Sequence, residues 1–260
     1  MTANTTRTVQ GPAGRLAVTE SGAGGLPALF VHSNAGRREQ WAAQQAWLKQ
    51  RSVSFDLRGM GDSDLDAHGR YGAADMAGDV AAVADALGLE RFVLVGHSYG
   101  GAVAGEYAIR WPERLAGLVF VDTHGKMPPL PPEQLAWFRD GIKPGTYREF
   151  MDTWFAPILQ NAKPHTHKAV MRWLHETPRE AVVGALESML TYDSDKVFER
   201  YKGPVQALLV DAFIQPHAYH LLYPGTPHTV FSGVSHWLMM DAPEAFNAAL
   251  GEFLARLPPR

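Results

Sequence analysis

Ser98 stands in Gly96-His97-Ser98-Tyr99-Gly100, and His236 stands in Gly233-Val234-Ser235-His236-Trp237. A serine hydroxyl becomes a nucleophile when a neighbouring base takes its proton, and imidazole is the side chain suited to that near neutral pH. The G-x-S-x-G spacing has a mechanical reason. A serine presented on a sharp strand-to-helix turn is held in strained backbone geometry, so its neighbours must be small. Gly96, Gly100 and Gly101 supply that room, with Ala102 beyond. The serine then lies at a helix N-terminus, where unpaired N–H groups and the helix dipole favour a developing negative charge. The flanks fit this reading, with a short apolar run at Phe92–Val95 before the motif and a helical pattern at Gly100–Arg110 after it.

These residues need a scaffold, and the rest of the chain supplies its pattern. Short apolar, β-branched runs fall at Ala28–His32, Val53–Asp56, Phe92–Val95, Leu115–Asp122, Val205–Val210 and Thr229–Phe231. Arg15–Thr19 follows a Gly11-Pro12-Ala13-Gly14 turn signal and predicts an opening hairpin with Thr8–Gln10. Helical patterns cover Glu39–Leu48, Asp75–Leu87, Gly100–Arg110 and Pro243–Leu257. In the second of these Met76, Val80, Val83 and Leu87 share one face. Asp241 with Glu244 three residues on predicts a capping box for the terminal helix. The alternation predicts an α/β fold: a mainly parallel, doubly wound sheet with helices on both faces. One interval, His124 to Gly203, breaks it with a Pro-rich opening and aromatic helical patterns. That interval is too long for a simple crossover. The expected organisation is a core of residues 1–123 and 204–260, with a helical cap of residues 124–203 inserted after the sixth strand.

Composition removes whole classes of function. The chain has 260 residues, 46% hydrophobic and 20% charged, which argues against disorder. Lys and Arg total 24 against 27 Asp and Glu, with no basic run, so no nucleic-acid partner is expected. Zero Cys excludes disulfides, thiolate nucleophiles and Cys-ligated zinc. No stretch approaches the ~20 apolar residues of a membrane span, and Met1–Gly14 lacks the apolar core of a signal peptide, so no membrane partner and a cytoplasmic location are expected. His217-x-x-His220 and His165-x-His167 could be drawn as metal pairs, but no third ligand accompanies them in a fitting pattern, and no metal is expected. Gly59-x-Gly61 lacks a third glycine and a following helix, and reads as a structural turn rather than a dinucleotide loop.

On the Ser98 motif, and on Asp56-Leu57-Arg58-Gly59-Met60-Gly61-Asp62-Ser63 after the fourth strand, the chain resembles the α/β-hydrolase fold superfamily, in its serine esterase and lipase-like branch with a helical cap. The resemblance runs nearly end to end outside the cap. It implies a triad in chain order Ser, acid, His, with Ser98 and His236 as its outer members. The acid departs from the family pattern. Most members place it in the loop after the seventh strand, where Ile214 and Gln215 stand here. Asp122, ending the sixth strand, is the favoured acid, since some branches of the family draw it from there. Its structural alternative is satisfying loop N–H groups. Asp211, ending the seventh strand, is the alternative acid. The oxyanion hole implied by the family would use the backbone N–H groups of Tyr99 and Asn34, with Ser33 standing where the family usually has Gly. Ser33, Trp41, Trp154 and Trp237 are candidates for the substrate pocket, beside a core role for the tryptophans.

The expectation is a serine hydrolase that cleaves a small-molecule carboxylic ester or lactone with a mostly apolar acyl or alcohol part, through an acyl-enzyme on Ser98 and with no cofactor. The alternatives are a non-catalytic ligand-binding member of the fold, or a serine-dependent C–C hydrolase or perhydrolase. Dehalogenase and epoxide hydrolase chemistry on this fold needs a carboxylate nucleophile, and Ser98 stands in its place. The sequence leaves the oligomeric state open.

Overall fold

The alternating apolar runs become an eight-stranded sheet of order β1-β2-β4-β3-β5-β6-β7-β8. Its strands are β1 (Thr5–Gln10), β2 (Arg15–Ser21), β3 (Ala28–Val31), β4 (Ser52–Phe55), β5 (Phe92–His97), β6 (Leu115–Val121), β7 (Val205–Val210) and β8 (His228–Phe231). The computed structural model describes residues 4–126 and 128–258. Residues 1–3 and 259–260 of the expected core, with part of the expected leaderless N-terminus, and Met127 of the expected cap lie outside the described residues. The expected hairpin forms from β1 and β2, closed by the Gly11 N–H on the Gly14 carbonyl at 2.8 Å. β2 continues antiparallel onto β4, and every later pairing is parallel.

Parallel strands are covered on both faces, which is why their sequences are continuously apolar. Alternate side chains build two separate cores. Leu29, Val31, Leu94, Phe120 and Leu209 pack on one side with α2 (Ala73–Ala86) and α3 (Tyr99–Arg110). Phe30, Val93, Val95, Val119 and Leu208 pack on the other with Phe246, Leu250 and Phe253 of the terminal helix (Pro243–Ala255). The expected face of Met76, Val80 and Val83 is fully buried.

Two local expectations change. The pattern at Glu39–Leu48 opens with a tight 3-10 turn, Arg38–Trp41, before α1 (Ala42–Trp47). The Asp56 carboxylate holds the Arg38 N–H at 2.7 Å and also its guanidinium, which pins this turn to the end of β4. The capping box does not form: Ala242 precedes Pro243 at the helix start and no side chain caps it. The Asp241 carboxylate is engaged elsewhere, by the Lys163 and Ser235 N–H groups at 3.0 Å each.

Between β6 and β7 lie α4 (Pro132–Gly141), α5 (Tyr147–Ile158), α6 (Pro164–Glu176), α7 (Arg179–Met189) and α8 (Asp195–Arg200). After β7 come α9 (Tyr219–Leu222), α10 (Leu238–Asp241) and α11, the terminal helix already described. No helix among the described residues is long and apolar enough to cross a membrane. The strand order matters for the site. β3 lies between β4 and β5, so the chain leaves β3 toward one edge of the sheet and leaves β5 toward the other. Loops that diverge in this way open a crevice at the strands' carboxyl ends.

His32 follows directly on β3 and braces that crevice. Its Nδ1–H donates to the Ser33 carbonyl at 2.7 Å, and its Nε2 accepts the Leu57 N–H at 3.0 Å. Burial drives its pKa down to about 4. The unfolded chain takes up that proton in the ordinary histidine range near 6.5, so the unfolded state binds more protons between the two values. Stability is therefore complete above about 6.5 and declines as the pH falls toward 4, by on the order of 3 kcal/mol for this ring at about 1.4 kcal/mol per unit. Urea unfolding across that window should show the decline, and the slope should shrink in His32→Gln. A stability unchanged from about pH 7 to about pH 5 would contradict the assignment.

Candidate active site

Ser98 occupies the single-residue turn between β5 and α3, with φ 54° and ψ −120°. A non-glycine residue holds such a conformation only when its surroundings enforce it. Here the Ser98 N–H donates to the Val121 carbonyl at 2.9 Å, and α3 starts at the next residue. The turn closes because its neighbours have no Cβ: one added at Gly96 would lie 2.3 Å from the Gly100 carbonyl oxygen, and one at Gly100 2.4 Å from that of His32. The Ser98 side chain is left partly exposed at the floor of a cavity.

Asp122 is the first residue beyond β6, at φ 42°. Its Oδ1 accepts the Val210 N–H at 3.0 Å, and its Oδ2 accepts Nδ1–H of His236 at 2.6 Å. Both partners are nearly buried, at 7% and 8% exposure. That bond fixes the proton on Nδ1 and leaves Nε2 as the lone-pair nitrogen of a ring that lines the same cavity as Ser98. No hydrogen bond joins Ser98 Oγ to His236 in this structure, among the described residues.

The loop carrying His236 is tied down from three directions. Its N–H donates to the Ile158 carbonyl at the end of α5, at 3.2 Å. Its carbonyl accepts Nε2–H of His97 at 2.9 Å. The adjacent Ser235 gives both its N–H and its hydroxyl to Asp241. His97 is fully buried, and burial together with the nearby His236 ring holds its pKa well below the histidine range. A neutral ring can accept as well as donate, and its Nδ1 takes a hydrogen bond from Gln40 Nε2 at 3.2 Å. The Gln40 oxygen in turn faces Ser33 Oγ at 3.4 Å. One buried amide thus joins the β3 loop, the elbow and the histidine loop. Neither Gln40, His97 nor the Ser235–Asp241 pair carries a motif that announces this, although His97 lies inside the Ser98 pentapeptide.

The loop after β3 brings Ser33 and Asn34 beside Ser98. Asn34 is locked by its own amide, which accepts the Ala35 N–H at 2.9 Å and donates to the Val182 carbonyl of α7 at 3.0 Å. The backbone N–H groups of Asn34 and Tyr99 find no partner among the described residues. A cavity of about 430 Å³ opens above them, bounded by Trp137 and Phe138 of α4, Trp154 and Ile158 of α5, and Leu186 and Met189 of α7. A smaller chamber of about 60 Å³ adjoins it, lined by Ser33, Ser98, Trp154, His236 and Trp237. Among the described residues no Lys, Arg, Asp or Glu side chain lines either space.

The structure therefore gathers Ser98, Tyr99, His236, Asp122, Asn34, Ser33, Trp154 and Trp237, and it leaves two candidates outside. Trp41 has no exposed surface and packs between Phe30 and Phe246, at ring-centroid distances of 4.9 and 6.1 Å, so it belongs to the core rather than the pocket. Asp211 is exposed in a 3-10 turn after β7 and accepts the Ala212 N–H at 2.7 Å, while Phe213 presents its ring to His236. Of the histidines set aside as metal ligands, His217 packs against His124, His220 packs against His228, and His165 meets the Met240 carbonyl at 3.3 Å.

The Asp241 clasp is testable by stability. In Asp241→Asn an amide nitrogen must face at least one of the three donors that the buried carboxylate now accepts. Unfolding in urea should show a loss of about 1–3 kcal/mol, the cost of leaving a buried donor unmet. A loss below about 0.5 kcal/mol would mean that the loop is held otherwise.

With the geometry in place, known proteins give it a context. The profile described as alpha/beta hydrolase fold matches residues 27–176. A protein of Caulobacter vibrioides provisionally named carbamate hydrolase RutD is 30% identical over 228 residues, 82% of this chain and 84% of its own. N-formylmaleamate deformylase of Pseudomonas putida is 29% identical over 221 residues, 77% of each chain. Among solved structures, a thermophilic esterase from Thermogutta terrifontis superposes with a TM-score of 0.78 at 27% identity, covering 97% of this chain and 98% of that one. The parallel sheet, the Ser98 turn and these matches place the chain in the α/β-hydrolase fold family, as a hydrolase of that fold.

Proposed function

We propose that the protein is a serine hydrolase of neutral carboxylic esters or lactones with a largely apolar acyl or alcohol part. The observation that carries the reading is the Asp122–His236 pair, with His236 on the wall of the cavity whose floor holds Ser98. Ser98 Oγ attacks the carbonyl carbon while His236 Nε2 takes the hydroxyl proton. Asp122 keeps the ring in the required tautomer and stabilises it once it is charged. The N–H groups of Tyr99 and Asn34 receive the oxyanion, in a site that the cap helices close to water. His236 then returns its proton to the departing alkoxide, which leaves as the alcohol. Water, deprotonated by the same nitrogen, attacks the acyl-Ser98 ester, and as the bond to Ser98 breaks His236 returns the proton to Oγ, releasing the acid and the free hydroxyl. The walls support a neutral, apolar substrate, since no charged side chain among the described residues lines them.

A second reading, hydrolysis of an acyl C–N bond, has its support in the relatives named as a carbamate hydrolase and as an N-formylmaleamate deformylase. The same residues would serve, with the proton from His236 delivered to a departing amine. Phenyl acetate and acetanilide, read by release of phenol and of aniline, separate the two by their kcat/KM ratio.

The nucleophile is tested by fluorophosphonate labelling read by intact mass. Wild type should gain one phosphonyl adduct and Ser98→Ala none. A folded wild type that stays unlabelled would defeat the reading. The acid is tested by comparing variants. Asp122→Asn cannot offer acceptors to both Val210 and His236, so the ring loses its orienting partner and kcat should drop by about 10³–10⁴-fold. Asp211→Asn should stay within about threefold of wild type, as expected for an exposed carboxylate outside the site. Equal, modest losses in both would remove Asp122 from its role.

A further inference from the structure

We infer that His124 is a specificity-determining residue, whose imidazole hydrogen-bonds a neutral hydroxyl group on an aryl-bearing substrate. The inference rests on the reading of the Ser98 cavity as the substrate pocket.

His124 lies two residues beyond Asp122 and lines that cavity. Its backbone is held by a bridge to Ala218, and the next residue, Gly125, donates its N–H to the His217 carbonyl at 3.0 Å. The His217 ring braces the imidazole edge-on, with centroids 4.3 Å apart and planes at 65°. Ring position is therefore set, yet neither ring nitrogen has a hydrogen-bond partner among the described residues.

The other polar side chains of the cavity have work already. The Asn34 amide is occupied by Ala35 and Val182. The Thr153 hydroxyl donates to the Glu149 carbonyl at 2.9 Å, and the Tyr99 phenol to the Tyr71 carbonyl at 2.6 Å. Ser98 and His236 are assigned to the reaction. Apart from the indole N–H groups of Trp137 and Trp154, which can only donate, His124 is the polar side chain left without a partner among the described residues, and it offers both a donor and an acceptor. An unpaired polar group that loses its water when substrate enters favours the substrate that replaces the lost hydrogen bond, and disfavours one that does not.

The chemistry of the ring narrows the partner. Burial and the neighbouring His217 bring its pKa down to about 4, against the opposing pull of Asp122. At neutral pH it is an uncharged imidazole with one donor and one acceptor, unsuited to holding a carboxylate or phosphate. A hydroxyl offers the complementary pair of functions. The remaining surface around it is aromatic, from Trp137, Phe138, Trp154 and Phe213, and aromatic walls favour offset or edge-on contact with another ring.

The test uses methyl phenylacetate and its ortho-, meta- and para-hydroxy derivatives, with 2-phenylethyl acetate and its ring-hydroxylated counterparts as the alcohol-side arm, followed by acid release. In wild type at least one hydroxylated ester should exceed its parent in kcat/KM by roughly tenfold, the worth of one hydrogen bond that is otherwise unmet. The ratio should collapse toward one in His124→Leu and be partly kept in His124→Gln, which retains a donor and an acceptor. Fluorophosphonate labelling of both variants confirms that Ser98 is still presented. The inference is overturned if no hydroxylated ester is preferred in either arm, or if His124→Leu labels normally and keeps the wild-type ratio. Failure of the ester reading itself would look different, as a wild type that neither labels nor turns over any parent ester.

Discussion

The carboxylate of Asp122 is the point on which the site is built. One oxygen terminates the β6–β7 pairing by taking the Val210 N–H, and the other holds His236. A carboxylate that satisfies a strand end and one that orients an imidazole are usually offered as rival explanations of such a residue. Here two oxygens on one group do both, and the first makes the second rigid. β6 lies directly beside β5 in the sheet, so an acid at its end is one strand from Ser98. The end of β7 is a strand further away, and its Asp211 turns outward into a 3-10 turn. The space where a more distant acid would reach in is taken by Phe213, whose ring meets His236 at 6.0 Å.

Around that anchor, buried neutral imidazoles act as connectors. His32 links β3 to the loop after β4, and His97 links Gln40 to the histidine loop. A neutral ring donates at one nitrogen and accepts at the other, so it can join two backbone segments that a carboxylate or an ammonium could not. Burial that would be expensive for an imidazolium holds the rings in this form. Of His32, His97, His124 and His236, only the last bonds to a carboxylate. That single difference sets the His236 ring apart from the three whose burial favours the neutral form.

The parts legible in the sequence were those encoded locally. The Ser98 turn, the opening hairpin, the strand runs and the α2 face depend on neighbours within a few residues, and apart from β1, which begins three residues before Thr8, they appear within two residues of their expected limits. Asp122 and His236 were reachable because chain order and strand ends constrain them. What escaped depends on distant partners. Asp241 and Glu244 have capping-box spacing, but Ser235 and Lys163 claim the aspartate first, and nothing near it in sequence reveals them. Trp41 follows the oxyanion loop closely enough to suggest the pocket, yet only the packing of Phe30 and Phe246 shows that it faces the other way. Gln40 is an unremarkable residue in the chain, and its value comes from three segments that converge on it.

The helices between β6 and β7 are joined to the machinery as well as covering it. The Val182 carbonyl of α7 receives the Asn34 side chain, which fixes the loop whose N–H faces the cavity. The Ile158 carbonyl of α5 receives the N–H of His236. Glu176 of α6 pairs with Arg37 at 2.7 Å on the far side of the same loop. Lifting these helices away would break bonds to both halves of the site, so substrate access through rigid-body opening of the whole cap would disassemble the geometry it is meant to serve. The side chain of Trp137 offers a smaller movement. It is 52% exposed while still lining the cavity, and it packs on Phe150 at 4.8 Å and stacks on Trp154 at 5.9 Å. Neighbouring cap elements thus differ in how they are tied, with α5 and α7 hydrogen-bonded to the His236 and Asn34 segments and α4 contributing Trp137 and Phe138 to the cavity wall by packing alone.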